Sequence, residues 1–290
     1  MRALKASNRF AVKLKLFLSL CAAAWLAFAS AASAAEAGPA DPQKQLNELI
    51  GKINAKIQAG LRGETNFTDE LKQFDTLLAG HAKEKTDGVA QILAMKAQLY
   101  LQLFVNYEKA AELMKKLKAD FPDTIQAKSA DGIIVQLERI AVAQRIRDSL
   151  VVGKQFPDFN ETDANGRSMS IAAYKGKVLL VDFWASWCGP CLGELPNVLA
   201  AYGKHHANGF DIVGISLDEN RQRFQSMLAS KNITWQQFYD GKKYENKLAV
   251  NYGVMSIPAT WLLDRNGVII GKDLRGPELE QAVAAALAKK

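Results

Sequence analysis

With three cysteines and three histidines in 290 residues, this chain has little from which to build a metal centre or a disulfide-stapled core. His81, His205 and His206 show no ligand spacing to any cysteine, and a zinc site needs three or four donors. Low-complexity sequence is confined to an alanine-rich stretch near residues 22–37. No basic patch interleaved with aromatics is present, which argues against nucleic acid as a partner. The net charge of +7 is itself local. Arg2, Lys5, Arg9, Lys13 and Lys15 form an acid-free leader, and the 37 basic residues less these five leave 32 against 30 acids, or +2.

The leader continues into an apolar run from Leu16 to Ala29 and the small residues Ala32-Ser33-Ala34. Residues 1–34 therefore read as a secretory signal peptide. An uncleaved membrane anchor is the other reading, since residues 16–35 approach the ~20 apolar residues that span a bilayer. The weak hydrophobicity of alanine favours cleavage. A lipoprotein reading of Cys21 fails on Leu20, which is bulky where a small residue belongs. The expected location is extracytoplasmic, in the periplasm. Cleavage removes Cys21 and leaves Cys188 and Cys191, a pair better suited to acting on other molecules than to stapling this one.

What remains is long enough for two cores. Residues 35–150 read as a helical domain. Asp41-Pro42 is an N-cap followed by proline, and Leu46, Leu49, Ile50, Ile53 and Ile57 repeat at helical spacing. Further helices are expected from Thr68, over Val89–Leu103, over Tyr107–Ala119, and over Ile125 to Leu150. Ala94 to Pro122 weakly resembles one tetratricopeptide repeat. A lone repeat cannot bury its faces, so a small helical bundle acting as spacer or homodimer surface is preferred to a peptide-binding groove.

Residues 151–290 alternate strand and helix, as an α/β layer does. Strands are expected at Val178–Val181, Phe210–Ser216, Thr260–Leu263 and Val268–Ile270, the last two joined by a turn containing Asn266-Gly267. Helices are expected from Pro190 through about His205 with a kink at Pro196, at Asn220–Lys231, at Lys247–Tyr252 and at Pro277–Ala288. Trp235 to Tyr244 reads as irregular and aromatic. His205 and His206 are placed at a solvated helix end.

The informative segment is VLLVDFWASWCGPC, Val178 to Cys191. An apolar strand turns into a helix through Gly189 and Pro190, leaving Cys188 just outside the helix N-terminus, where unpaired amides favour a thiolate. Cys191 falls in the first turn, close enough to close a small ring. A zinc half-site lacks further ligands, and a purely structural disulfide across two residues removes little chain entropy. Reversible dithiol–disulfide exchange is the reading the context favours, with Cys188 the exposed nucleophile and Cys191 the buried resolving thiol. Trp187 is expected to shield the disulfide edge and to offer partners a flat apolar contact; Trp184 is expected in the core.

VDFWASWCGPC resembles the active-site segment of thioredoxins. About 140 residues, from roughly Val151 to Lys290, resemble that fold family, which implies a central mixed sheet flanked by helices. Asp182, six residues before Cys188, matches the acid that the family buries beneath the disulfide. Ser256-Ile257-Pro258-Ala259-Thr260 matches the loop whose proline is cis there and packs against the disulfide. Gly153 to Phe159, Tyr174-Lys175-Gly176-Lys177 and Glu194 are similar to the extracytoplasmic TlpA/ResA branch. Because ResA-type members often lack an acid at the Asp182 position, either Asp182 or Glu194 is left as the proton carrier, and a first-turn acid such as Glu194 can also serve the helix dipole alone.

The resemblance implies a protein-disulfide reductase that uses no cofactor beyond its own Cys188–Cys191 disulfide. Outside the cytoplasm it needs a membrane thiol electron donor, and its substrates would be apocytochrome haem-site cysteines, as in cytochrome c maturation, or mispaired disulfides. A thiol peroxidase shares the fold, but Val181 and Ala185 stand where its proline and hydroxyl residue would precede Cys188. A helical peptide-binding module with a vestigial redox domain is the remaining alternative.

Overall fold

The computed structural model describes residues 41–289, so the reading of residues 1–34 as a signal peptide falls outside the described residues. Helix α1 (Pro42–Gln58) begins where Asp41 accepts a hydrogen bond from the Gln43 amide at 3.0 Å, and its Leu46, Leu49 and Ile53 are buried. Helices α2 (Thr68–Gly80), α3 (Asp87–Gln102) and α4 (Tyr107–Asp120) follow, each packed on the one before. Thr86 and Asn106 cap the last two. Their apolar faces close around Phe67, Phe74 and Ile92 to form one core.

The single helix expected over Ile125–Leu150 is two helices, α5 (Ile125–Lys128) and α6 (Ala130–Ser149). The break falls at Ser129, whose hydroxyl bonds back to the carbonyls of Ile125 and Gln126, the local competition that serine offers a helix. Among the described residues no helix is long and apolar enough to cross a membrane.

A short hairpin, β1 (Glu161–Thr162) with β2 (Ser168–Met169), leads into a five-stranded mixed sheet. Its strands are β3 (Val178–Trp184), β4 (Phe210–Ser216), β5 (Gln236–Tyr239), β6 (Ala259–Leu263) and β7 (Ile269–Lys272), in the order β5-β4-β3-β6-β7. β3, β4 and β5 run parallel; β6 and β7 are antiparallel. Helices α7 (Gly189–His205), α8 (Arg221–Ser230), α9 (Lys247–Asn251) and α10 (Pro277–Ala288) complete the α/β layer, a second core separate from the helical one. Helix α7 continues through Pro196 to His205.

Two expectations need correction. Trp235–Tyr244 is not irregular throughout, because β5 lies within it. The Gln236-Gln237 pair hides a strand that only the open edge of β4 defines, and buried Gln237 accepts the Trp184 indole N–H at 2.9 Å. His205 is not solvated either. Helix α10 packs across the end of α7, burying His205 with its Nε2 2.8 Å from Glu280.

Helix α6 serves both cores. Ile134 and Leu137 belong to the helical one, and Ile146 packs on the sheet side. It presses on the turn after α9, where Gly253 has φ +63° and a Cβ would meet the Ala143 carbonyl oxygen at 2.2 Å. Lys272 Nζ donates to the Arg147 carbonyl at 3.0 Å nearby. Gly253→Ala should therefore cost about 2–4 kcal/mol in urea unfolding, from backbone strain and overpacking together. A loss below about 0.5 kcal/mol, the scale of an ordinary surface substitution, would show that α6 does not bear on this glycine.

Candidate active site

Strand β3 lies between β4 and β6, so Leu179–Val181 are paired on both edges and the whole Val178–Val181 run is buried. The strand ends at Trp184, and four residues later Cys188 caps α7. The Cys191 amide donates to Cys188 Sγ at 3.2 Å, and the Leu192 amide to the Cys188 carbonyl at 3.0 Å. Cys188 and Cys191 form a disulfide, their Cα atoms 5.2 Å apart. On reduction the same amide end of the helix would favour a thiolate on Cys188. The expected contrast in exposure is absent: Cys188 is 4% exposed and Cys191 7%. The disulfide ties Cys188 Sγ back onto the first turn of α7, where loop and helix cover it.

Trp187 is exposed at the rim, edge-on to Tyr244 with ring centroids 6.2 Å apart. Trp184 is buried, as expected. The Ile257–Pro258 peptide bond is cis. Ile257 packs half-buried on the sheet core, and Pro258 lines a narrow cleft with Cys191, Asp182, Glu194, Thr260 and Arg275. The cleft offers about 20 Å³, room for about one water molecule.

Asp182 stands opposite Gly214 of β4 and Thr260 of β6. It is half-buried at the cleft, and its removal from bulk water there pushes its pKa up to about 7. Arg275 pulls it down and Glu194 pushes it further up. The Glu194 carboxylate accepts the Gly276 amide at 2.7 Å, so it reaches across to the segment before α10.

Sequence reasoning missed two residues that hold these parts in place. Asp218, two residues beyond β4, is 1% exposed and accepts the Ser186 amide at 3.0 Å and the hydroxyls of Ser186 and Ser216 at 2.5 and 2.9 Å. It ties down the loop that delivers Cys188; an acid just past an apolar strand was the available signal. Arg275 donates to the Pro258 carbonyl at 2.9 Å and to Thr260 Oγ1 at 2.8 Å. Nothing in its local sequence marks it.

The Redoxin family profile matches residues 151–287. The thiol-disulfide oxidoreductase ResA of Bacillus thuringiensis is 28% identical over 152 residues, 49% of this chain and 80% of ResA. The thioredoxin-like protein YneN of Bacillus subtilis is 32% identical over 120 residues, 40% of this chain and 68% of YneN. The chain belongs to the TlpA/ResA-type thiol–disulfide oxidoreductases. Among solved structures, the thioredoxin domain of a thiol-disulfide oxidoreductase from Bacteroides vulgatus aligns at 31% identity over 47% of this chain and 97% of its own, with TM-score 0.43. The helical region before residue 151 lies outside the Redoxin match.

In an oxidoreductase of this family a buried acid beside the dithiol has a measurable signature. Asp182 holds its proton from an ordinary value of 3.8 up to about 7 in the folded protein. Its contribution to stability is thus full below about pH 4 and is lost as pH rises through about 7. One pH unit of this difference is worth about 1.4 kcal/mol. Relative to wild type, oxidised Asp182→Asn should gain about 2–4 kcal/mol between pH 4 and pH 8 in urea unfolding. A difference between the two proteins that stays flat with pH would refute the burial argument.

Proposed function

We propose that this oxidoreductase reduces disulfides of extracytoplasmic proteins through the Cys188–Cys191 couple. One arrangement supports this above all: Cys188 Sγ at the amide end of α7, with the carboxyl of Asp182 in the cleft that Cys191 lines. In the reduced protein the Cys188 thiolate attacks one sulfur of a substrate disulfide. A Cys188–substrate S–S bond forms, the substrate S–S bond breaks, and the departing thiolate takes up a proton. Cys191 gives its proton to Asp182 and attacks Cys188 Sγ, which closes the internal disulfide and expels the second substrate thiolate. Two electrons have then passed from the dithiol to the substrate, and no cofactor is needed.

The other site residues take supporting roles. Glu194, engaged by the Gly276 amide, sets the field on Asp182 and does not itself carry the proton. Trp187, Ile257 and Pro258 would meet the apolar part of an extended substrate strand. The acid-free leader and the lone pair of mature cysteines support an extracytoplasmic location. Re-reduction there calls for a membrane thiol donor, and apocytochrome haem-site cysteines or mispaired disulfides are the substrates in view.

Reduction is favoured over oxidation because Gly189 and Pro190 add no positive charge beside Cys188, while Asp182 and Glu194 oppose a second negative one. Equilibration with glutathione should place the couple near about −270 mV, well below the ~ −180 mV of isomerase-type proteins. A value near about −120 mV would make the protein an oxidant and overturn the direction. Alkylation of the reduced protein across pH should modify Cys188 first, with a pKa below the ordinary ~8.5. Faster reaction at Cys191 would reverse the two roles.

A further inference from the structure

Arg275 has no part in the mechanism above, yet it reaches several parts of the site. Its guanidinium is fixed on three acceptors: the Pro258 carbonyl at 2.9 Å, Thr260 Oγ1 at 2.8 Å and the Leu274 carbonyl at 2.7 Å. Pro258 belongs to the cis-proline loop, and Thr260 is the cross-strand partner of Asp182. Among the described residues Arg275 is also the only basic one lining the cleft that Asp182, Glu194 and Cys191 share. The next residue, Gly276, donates its amide to Glu194 at 2.7 Å. Two consecutive residues therefore hold the proline loop and Glu194, and the first of them lines the cleft with Asp182.

The competition for this guanidinium is weak. Asp273 approaches Arg275 Nη2 only to 3.8 Å, and its Oδ1 is already taken by the Thr260 amide at 3.1 Å. The charged and titratable groups facing Asp182 are Cys191 and Glu194 from α7 and Arg275 from the segment after β7, with Asp273 behind Arg275. The other neighbours do not titrate: Gly214 on β4, Thr260 on β6, Leu279 on α10, and Ile233 and Trp235 before β5. Without Arg275, Asp182 would face only burial and a second carboxylate, both of which oppose its ionisation.

We propose that Arg275 is a positioning residue for thiol–disulfide exchange, its planar fork holding the proline loop in place and fixing its positive charge in the cleft where Asp182 takes the Cys191 proton. A lysine could supply the charge but not the fork. This rests on reading Cys188–Cys191 as the exchange couple and Asp182 as its proton acceptor.

The test separates charge from fork. In the oxidised full-length protein no active-site thiol titrates, so carbon-13 NMR of the Asp182 carboxyl reports its midpoint directly. Arg275→Gln should raise that midpoint by about one pH unit, while Arg275→Lys should leave it near wild type. In reduction of a peptide disulfide, the glutamine variant should be about tenfold slower at pH 7 and recover at higher pH. The lysine variant should keep the wild-type pH profile and show a raised KM. Equal midpoints in the two variants, or no movement in the glutamine variant, would overturn the proposal. Should Arg275→Gln not fold, Thr260→Val is the second arm. It frees one guanidinium N–H at unchanged charge, so it should follow the lysine variant, with the midpoint near wild type and a raised KM, and a wild-type KM there would be equally fatal. Wild-type protein unable to exchange disulfides at all would instead overturn the function proposed above, while the NMR midpoints would still decide the electrostatic role.

Discussion

The pairing of β3 on both edges is the constraint from which the site hangs. A strand held between β4 and β6 has no freedom to slide, because a one-residue slip would turn Leu180 and Asp182 to the other face. That register puts one carboxyl in an otherwise apolar strand at the end where the chain leaves the sheet. Four residues beyond the strand, the amide end of α7 receives Cys188. The acid and the sulfur are thus placed by the same backbone, and the energy that holds them there is the burial of Val178 to Val181 and Phe183.

Around this axis, polar groups do the fine placement. Asp218 gathers the Ser186 amide and two serine hydroxyls, so the loop before Cys188 is anchored without a basic partner. Glu194 and Arg275 perform the corresponding task on the far side of the cleft, through Gly276, Pro258 and Thr260. Such clamps are costly to leave half-made in a buried setting, since each orphaned donor or acceptor loses its water as well as its partner. They also explain how a cleft with room for about one water can contain two acids: a fixed cation lines the same cleft, and a backbone amide binds Glu194.

The helical half has its own core, and α6 joins it to the sheet-containing half. The contact is close at Gly253, and a second tie lies nearer the site, where Arg139 of α6 pairs with Glu245 beside Tyr244. Tyr244 in turn rests against Trp187 at the rim of the disulfide. The helical half is therefore in contact, through one ion pair and one aromatic pair, with the surface a substrate would meet. Exposed ion pairs are individually weak, so steric fit at Gly253 and burial of Ile146 matter more to this junction than charge.

What the sequence determined by itself was local. The strand–CGPC–helix order, the caps at Asp41 and Cys188, the Asn266-Gly267 turn and the periodic helices are all set by residues within a few positions of one another, where propensity and spacing act directly. Asp182 was legible for the same reason, as an acid inside an apolar run ahead of the cysteines. Tertiary structure alone decided the rest. β5 exists because β4 has an open edge; His205 is buried because α10, some 75 residues further on, packs over it; the disulfide sulfurs are both covered because loop and helix close around them. Arg275 and Asp218 reach their partners across 17 and 32 residues of chain, and no local pattern encodes a hydrogen bond that forms only once the sheet has brought its two ends together.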